Sequence, residues 1–547
     1  MKNKKNIMKD RIVALWKRHY YLLTSILMFL SFPSYDIWIL KGFPLFAWVS
    51  MVPMFMIARQ SSLRQLYMRS FGAGLVGCYL TYEWIGHFGD AVPGGPALIL
   101  TFLIPSLSVF FAAKVTLGEI LARRCEKLRF LIIPSIWICI DWIESIGFLA
   151  YPWPVWGYSQ YPFTAFIQIA SITGVAGVTF IVILVNVLLA DLIQRLVSDG
   201  FSIHSILRLP EGRHVAVAVG AVVAMTAWGG AILLMNDRPA RNDMRVALIQ
   251  SCISPWENWS ENRFLYLAQL KSITKKAIDN KPDFIIWSES ATLETISFDY
   301  QKGTTNEFEN EVFTLARESG LPILTGEIGI VEVEEGFFLK RYPQNNAVLI
   351  NSAGEVEATY PKIHLVPFGE WFPYEKWFPA VKRLAASMGG SSFLPGDEPV
   401  IFTVGGKKFA CLVCYEGIFN RLCRKNRNLG AEFLVNITND GWTHTYKGHM
   451  QHFAASVFRA VENGVWYLRA GNTGYTAFID PWGRVRASIP ILIPGYLVSD
   501  IDFRFNHRTI YMIVGDAFQY LAICFVLILA CVAVIKTIRE RGAKRAG

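Results

Sequence analysis

The sequence predicts two bodies in one chain: a polytopic α-helical membrane domain of about eight transmembrane helices, and an extracytoplasmic α/β domain built in layers. Three observations carry this reading. Of 547 residues, 53% are hydrophobic and 18% are charged, against about 25% charged in an ordinary soluble protein. Apolar runs of near-spanning length crowd the first 240 residues and recur near the C-terminus. Between them, short apolar runs alternate with polar stretches of helical period. The expected division is 1–240 for a membrane domain with seven helices, 241–505 for the α/β domain, and 506–547 for a last helix and a basic cytoplasmic tail.

The membrane runs lie at 20–34, 43–58, 70–88, 97–120, 130–149, 164–190 and 213–235, with another at 511–535. Each approaches the roughly 20 apolar residues that a spanning helix needs. Pro33 and Pro53 break the first two. The basic start MKNKKNIMKDRIVALWKRHY is followed by an apolar run without a convincing small-residue cleavage site, so a retained first helix is expected. Loop charge tests this count, because cytoplasmic loops collect Lys and Arg. With a cytoplasmic N-terminus, the inside loops hold Arg59, Arg64 and Arg69, then Arg123, Arg124, Lys127 and Arg129, then Arg195, Arg208 and Arg213. The alternate loops before the large domain hold Lys41. The tail adds Lys536, Arg539, Arg541, Lys544 and Arg545, again inside. The net charge of +10 is thus explained by topology, and no nucleic-acid partner is called for.

Seven stretches of the middle segment read as strands: MRVALIQ (244–250), DFIIWSES (283–290), LPILTGEIGI (321–330), NAVLINSAGEV (346–356), KKFACLVCYE (407–416), EFLVNITND (432–440) and TAFIDPWG (476–483). Ser352-Ala353-Gly354 marks a hairpin turn. Residues 261–280 and 452–464 have the period of amphipathic helices.

Three polar residues stand at the ends of strand-like runs: Glu289, Lys362 and Cys414. A cysteine nucleophile needs a proton acceptor and a donor for the oxyanion. Singly, each residue is weak evidence. Cys411 and Cys414 form a Cys-x-x-Cys spacing, but on an extended strand they point to opposite faces, and no second pair stands at metal-ligand spacing. The nine cysteines show no disulfide framework. His364, His444, His449 and His452 form no recognisable ligand set.

In order along the chain, IIWSES, YPKIHLVPFGEWFP, LVCYEGIF and NITNDGW…QHFAASVFRAVENG…LRAGNTG resemble the signature blocks of the nitrilase (carbon–nitrogen hydrolase) superfamily. With HLVPFGE, CYE and the flanking spans, the chain is similar to the apolipoprotein N-acyltransferase family over nearly its whole length. The resemblance implies an α-β-β-α sandwich and a Glu289–Lys362–Cys414 triad of general base, oxyanion donor and nucleophile. It implies supporting roles for Glu370, Tyr415 and Glu416. Trp259, Trp442 and Asn439 match residues of the family's active-site region, with ordinary core packing as the other reading of the tryptophans. Two departures stand out: Ser288 where the family commonly has proline, and Gly448-His449-Met450 where it often has Gly-Pro before Gln-His.

The implied activity is two-step acyl transfer in the bacterial inner membrane. A membrane phospholipid is the acyl donor and the α-amine of a diacylated lipoprotein is the acceptor, with the lipid bilayer as the setting and no metal or organic cofactor. A membrane-tethered amidase and an inactive scaffold are the alternatives. The aromatic segment 370–390 is expected either at the bilayer interface or packed as a core loop. Glu83, Asp141 and Glu144 lie in or beside apolar spans, where carboxylates either pair or serve function.

Overall fold

The computed structural model describes residues 19–546 except 90–94, 148–149, 200–202, 240, 256, 368, 372–391 and 444. Most of the 370–390 segment and His444 therefore lie outside the described residues.

Among the described residues, four helices are long and apolar enough to cross a membrane: Gly95–Ala122, Ala170–Ser198, Pro210–Met235 and Ala517–Arg541. The other expected spans are shorter or more polar. Tyr20–Ser31 and Pro44–Ala58 are short apolar stretches, and Pro53 stands at the start of the helix Val52–Ala58. Leu63–Tyr82 carries Arg64 and Arg69 in its first two turns, after a Ser62–Gln65 capping box. Arg129–Glu144 has 16 residues and ends on Asp141 and Glu144. These two acids are not isolated. Lys114, on the facing helix, lies 2.5 Å from each of them, which answers the cost of burying charge in apolar surroundings. Glu83 pairs with Lys447, at 2.6 Å.

The α/β part has twelve strands in chain order: β1 (Met244–Gln250), β2 (Phe284–Ile286), β3 (Ile323–Glu335), β4 (Phe338–Ile350), β5 (Val356–Pro361), β6 (Ile401–Val404), β7 (Lys407–Val413), β8 (Phe433–Thr438), β9 (Trp466–Gly471), β10 (Thr476–Ile479), β11 (Val485–Ile489) and β12 (Gly495–Ile501). They form two six-stranded sheets, ordered β12-β1-β2-β3-β4-β5 and β11-β10-β9-β8-β7-β6. In each sheet a parallel core, β1-β2-β3 or β7-β8-β9, is flanked by antiparallel strands. Alternate residues of both sheets, such as Val246, Phe284, Leu324, Phe409, Cys411 and Val435, interdigitate in one core between them. The other face of the first sheet packs on the helices Trp259–Ile278 and Glu307–Ser319, through Leu267, Leu270, Phe308 and Val312.

The outer face of the second sheet has different company. Ala410, Leu412 and Leu434 pack on the helix Tyr446–Asn463, and that helix packs in turn on the membrane helices in one continuous apolar cluster. Every residue of this helix after Tyr446 is buried. Polar contacts cross the same seam. Glu462 accepts the Val175 N–H at 2.9 Å, just after Gly174 breaks the membrane helix with φ 66°. Gln168 donates to the Trp482 carbonyl at 2.8 Å, and Trp84 donates to Gln451 at 3.1 Å.

Candidate active site

The C-terminal ends of the parallel strands and of β5 converge, as open α/β sheets require of their reactive groups. Glu289 follows β2 in a turn that closes over Gly326 of β3. A Cβ on Gly326 would lie 2.5 Å from the Ser290 nitrogen and 2.8 Å from the Glu289 Cα. Glycine here admits the carboxylate-bearing turn. Glu289 is 4% exposed. Its Oε1 accepts from Asn345 Nδ2 at 2.8 Å and its Oε2 accepts from the Asn439 backbone N–H at 2.7 Å. Burial raises its carboxyl above the ordinary glutamate value, against the pull of Lys362 and its hydrogen bonds.

Lys362 leaves β5 and is 1% exposed. Its backbone N–H still bonds the Asn345 carbonyl at 2.8 Å, which holds the residue in register beyond the strand. Its Nζ lies 2.7 Å from Glu370 Oε1 and 3.6 Å from Glu289 Oε1. Burial alone would lower this ammonium, but Glu370, Glu289 and Cys414 outweigh it and raise its pKa. Glu370 is braced from its other oxygen by the Val366 N–H at 2.8 Å.

Cys414 is the first residue after β7 and opens a short turn, Cys414–Ile418. The strand's alternation would set it on the face opposite Cys411. The structure corrects that expectation: Cys414 has φ 50°, and its side chain packs on the same inter-sheet core as Cys411. Both thiols are free. Burial and then Glu289 raise the Cys414 thiol, and the opposite pull of Lys362 does not overcome them.

Glu416 is fully buried and acts as a clamp. Its Oε1 accepts from Tyr360 Oη at 2.8 Å, Ile363 N–H at 2.7 Å and His364 N–H at 3.1 Å. Its Oε2 accepts from Val413 N–H at 2.7 Å. One carboxylate thereby ties the Lys362 segment to the Cys414 turn. Tyr415 donates to the Ala150 carbonyl at 2.7 Å and stacks on Trp153, so the residue beside the cysteine is anchored to the membrane part.

Asn439 serves through its backbone N–H on Glu289, and its side-chain oxygen accepts from Asn472 at 3.0 Å. Trp442, 37% exposed, stands in the turn after it. Trp259 lies elsewhere. It begins an outer helix, donates to Glu294 at 3.1 Å and packs on Tyr266 and Phe308, which is core packing on the far side of the first sheet.

Sequence reasoning missed Asn345. Its single Nδ2 bonds Glu289 at 2.8 Å and Glu370 at 2.7 Å, spanning the two carboxylates that flank Lys362. The signal was a pair of asparagines, Asn345 and Asn346, inside the apolar strand QNNAVLI. It also missed Asp440, which receives Arg469 at 2.5 Å and His452 at 2.8 Å. Arg469 and then His452 hold the Asp440 carboxyl far below its ordinary value despite burial.

Residues 24–188 match the family described as apolipoprotein N-acyltransferase N-terminal domain, and residues 245–507 match carbon-nitrogen hydrolase. An apolipoprotein N-acyltransferase of Geobacter metallireducens is 30% identical over 527 residues, covering 95% of this chain and 96% of that one. Apolipoprotein N-acyltransferase 1 of Treponema denticola is 26% identical over 540 residues, with 95% and 96% covered. Among solved structures, an amidase of the nitrilase superfamily from Nesterenkonia AN1 covers 52% of this chain and 97% of its own, at 20% identity and a TM-score of 0.37. With relatives aligned from end to end and both halves matched, the chain belongs to the apolipoprotein N-acyltransferase family.

Proposed function

We propose that this protein transfers a fatty acyl chain from a membrane phospholipid, through a thioester on Cys414, to the α-amine of the N-terminal diacylglyceryl-cysteine of lipoproteins. The observation that carries the reading is the meeting of a buried carboxylate, a buried ammonium and a cysteine at one point. Lys362 Nζ is 3.6 Å from Glu289, and both groups act electrostatically on the Cys414 thiol, beside a seam of membrane helices.

The chemistry follows from the proton positions. Glu289 accepts the Cys414 proton as the sulfur attacks the ester carbonyl carbon. The C–S bond forms and the carbonyl electron pair moves to oxygen, where the Lys362 ammonium stabilises it. Collapse breaks the acyl C–O bond, and Glu289 returns the proton to the departing lysophospholipid oxygen. In the second half the lipoprotein amine attacks the thioester carbon and gives its proton to Glu289. The C–S bond then breaks, and the thiol is restored. Glu370, Glu416 and Asn345 hold the three acting groups, and Trp442 and Asn439 border the substrate space.

The topology belongs to the same reading. Eight spans, with the four shorter or more polar helices completing the set, keep the basic loops in the cytoplasm and residues 241–505 outside it. Both substrates then reach the site from the outer leaflet of the inner membrane. The test is intact-mass spectrometry of the full chain after incubation with phospholipid alone. A fatty-acyl increment is expected on the wild type, absent in Cys414→Ala, released by neutral hydroxylamine and discharged onto the amine of a diacylated lipopeptide. An unmodified wild type, with no lysophospholipid released, overturns the reading.

A further inference from the structure

The φ of 50° at Cys414 is unfavourable for a residue with a side chain, so something must hold it. The Cys414 carbonyl accepts from two donors, Asn436 Nδ2 at 3.2 Å and His452 Nε2 at 3.1 Å. Behind them both donors return to one guanidinium. Arg469 Nη1 donates to Asn436 Oδ1 at 2.6 Å and Nη2 to Asp440 Oδ2 at 2.5 Å, while Asp440 Oδ1 faces His452 Nδ1 at 2.8 Å. The bonds close a ring that begins and ends on the Cys414 carbonyl. Every side chain in it is buried: Asn436 and Arg469 are 0% exposed, His452 3% and Asp440 5%.

We propose that His452 is a positioning residue for the nucleophile, and that its Nε2–H sets the left-handed turn that aims the Cys414 sulfur at Glu289 and Lys362. A carbonyl can only accept, so Nε2 carries a proton. Nδ1 has a partner in either state. When protonated it donates to Asp440, and when bare it accepts from Arg469 Nη2, 3.1 Å away. The bond to Cys414 is thus made by the imidazolium and by the neutral Nε2–H tautomer. Asn436 has no further donor to take its place, because one amide hydrogen serves the Cys414 carbonyl and the other the Leu412 carbonyl at 3.1 Å. The imidazole also lies against Trp153 of the membrane part, with ring centres 5.4 Å apart. That indole stacks on Tyr415 as well. The turn is thus gripped from the sheet side by the ring and from the membrane side by Trp153.

This inference rests on the assignment of Cys414 as nucleophile, and one experiment separates the two. Full-length protein in detergent is treated with iodoacetamide at neutral pH, and alkylation is followed peptide by peptide. In the wild type, Cys414 reacts faster than Cys252; if it does not, the nucleophile assignment itself fails. His452→Phe keeps the ring's shape and its packing on Trp153 but removes the donor. His452→Gln supplies an N–H in its place. Alkylation of Cys414 is expected to slow at least about tenfold in His452→Phe and to recover to within about threefold of wild type in His452→Gln, since one lost hydrogen bond to a buried group is worth that order of change. Equal Cys414 rates in wild type and His452→Phe overturn the proposal, as does a His452→Gln rate as slow as His452→Phe. Alkylation of Cys411, which is 1% exposed, reports loss of the fold. Its appearance in either variant also counts against a role confined to the turn.

Discussion

Gly326→Ala is the perturbation that tests the site's geometry with the smallest change in chemistry. The added methyl would stand 2.5 Å from the Ser290 nitrogen and 2.8 Å from the Glu289 Cα. Both are backbone atoms, so no side-chain rotation relieves the clash, and the turn must retreat by about 1 Å to reach ordinary contact. The turn is also tied to Gly326 by the Thr292 N–H and hydroxyl, which donate to the Gly326 carbonyl at 3.3 and 3.0 Å. Glu289 is held by bonds of 2.8 and 2.7 Å, and these tolerate only a few tenths of an ångström before leaving the normal range of about 2.7–3.2 Å. At least one breaks. A misplacement of that size costs roughly 100-fold in rate, while the overpacking itself costs about 1–3 kcal/mol of stability. The assay is single-turnover formation of the Cys414 acyl thioester from phospholipid, with thermal melting of the same sample as control. A slowed but complete acylation in a folded protein is expected. A rate within about threefold of wild type, with melting unchanged, would refute the claim that this close approach positions the carboxylate.

Two further outcomes concern Glu289 and the buried Lys114 cluster. Glu289 must be ionised to accept the thiol proton, and burial raises its carboxyl; the single-turnover acylation rate should therefore fall with decreasing pH along an acid limb centred above the ordinary glutamate value of about 4.3, and a rate flat down to that value would contradict the assignment. Lys114→Leu leaves Asp141 and Glu144 without their cation, so the detergent-solubilised protein should lose about 3–5 kcal/mol of stability, with most of it recovered in Lys114→Leu/Asp141→Asn/Glu144→Gln. Melting of the two variants checks it, and equal melting would mean the pair is solvated.

Local periodicity made the first β-strand legible to the residue: MRVALIQ is β1. KKFACLV also matches β7, but the strand stops before Cys414 because that residue turns left-handed, and no pattern of apolar residues announces such a turn. LPILTGEIGI continues as VEVEE into a long hairpin closed at Gly336; the acidic alternation hides a strand that overhangs the core. Residues 466–471, WYLRAG, are buried on both faces, Arg469 included, so β9 carries no inside–outside alternation even though it is central to its sheet. In the site, Glu289, Lys362 and Cys414, the triad proposed above, stood out because they end apolar runs. Asn345, His452, Asp440 and Arg469 did not, because their meaning lies in hydrogen bonds between segments up to 56 residues apart.

The seam along helix Tyr446–Asn463 bears on what a unit of this enzyme is. One face of that helix closes the second sheet and the other is closed by membrane helices, with the Arg459–Glu462 pair sealed at 0% exposure between them. A scissor cut at residue 241 would bare that pair and a full helical face to water. The excised piece would lose the partner that buries it and would aggregate rather than behave as a free-standing hydrolase. The α/β part and the membrane helices are therefore one folding body, and strain applied to the helices reaches the Cys414 sulfur through a single helix and the tyrosine beside the cysteine.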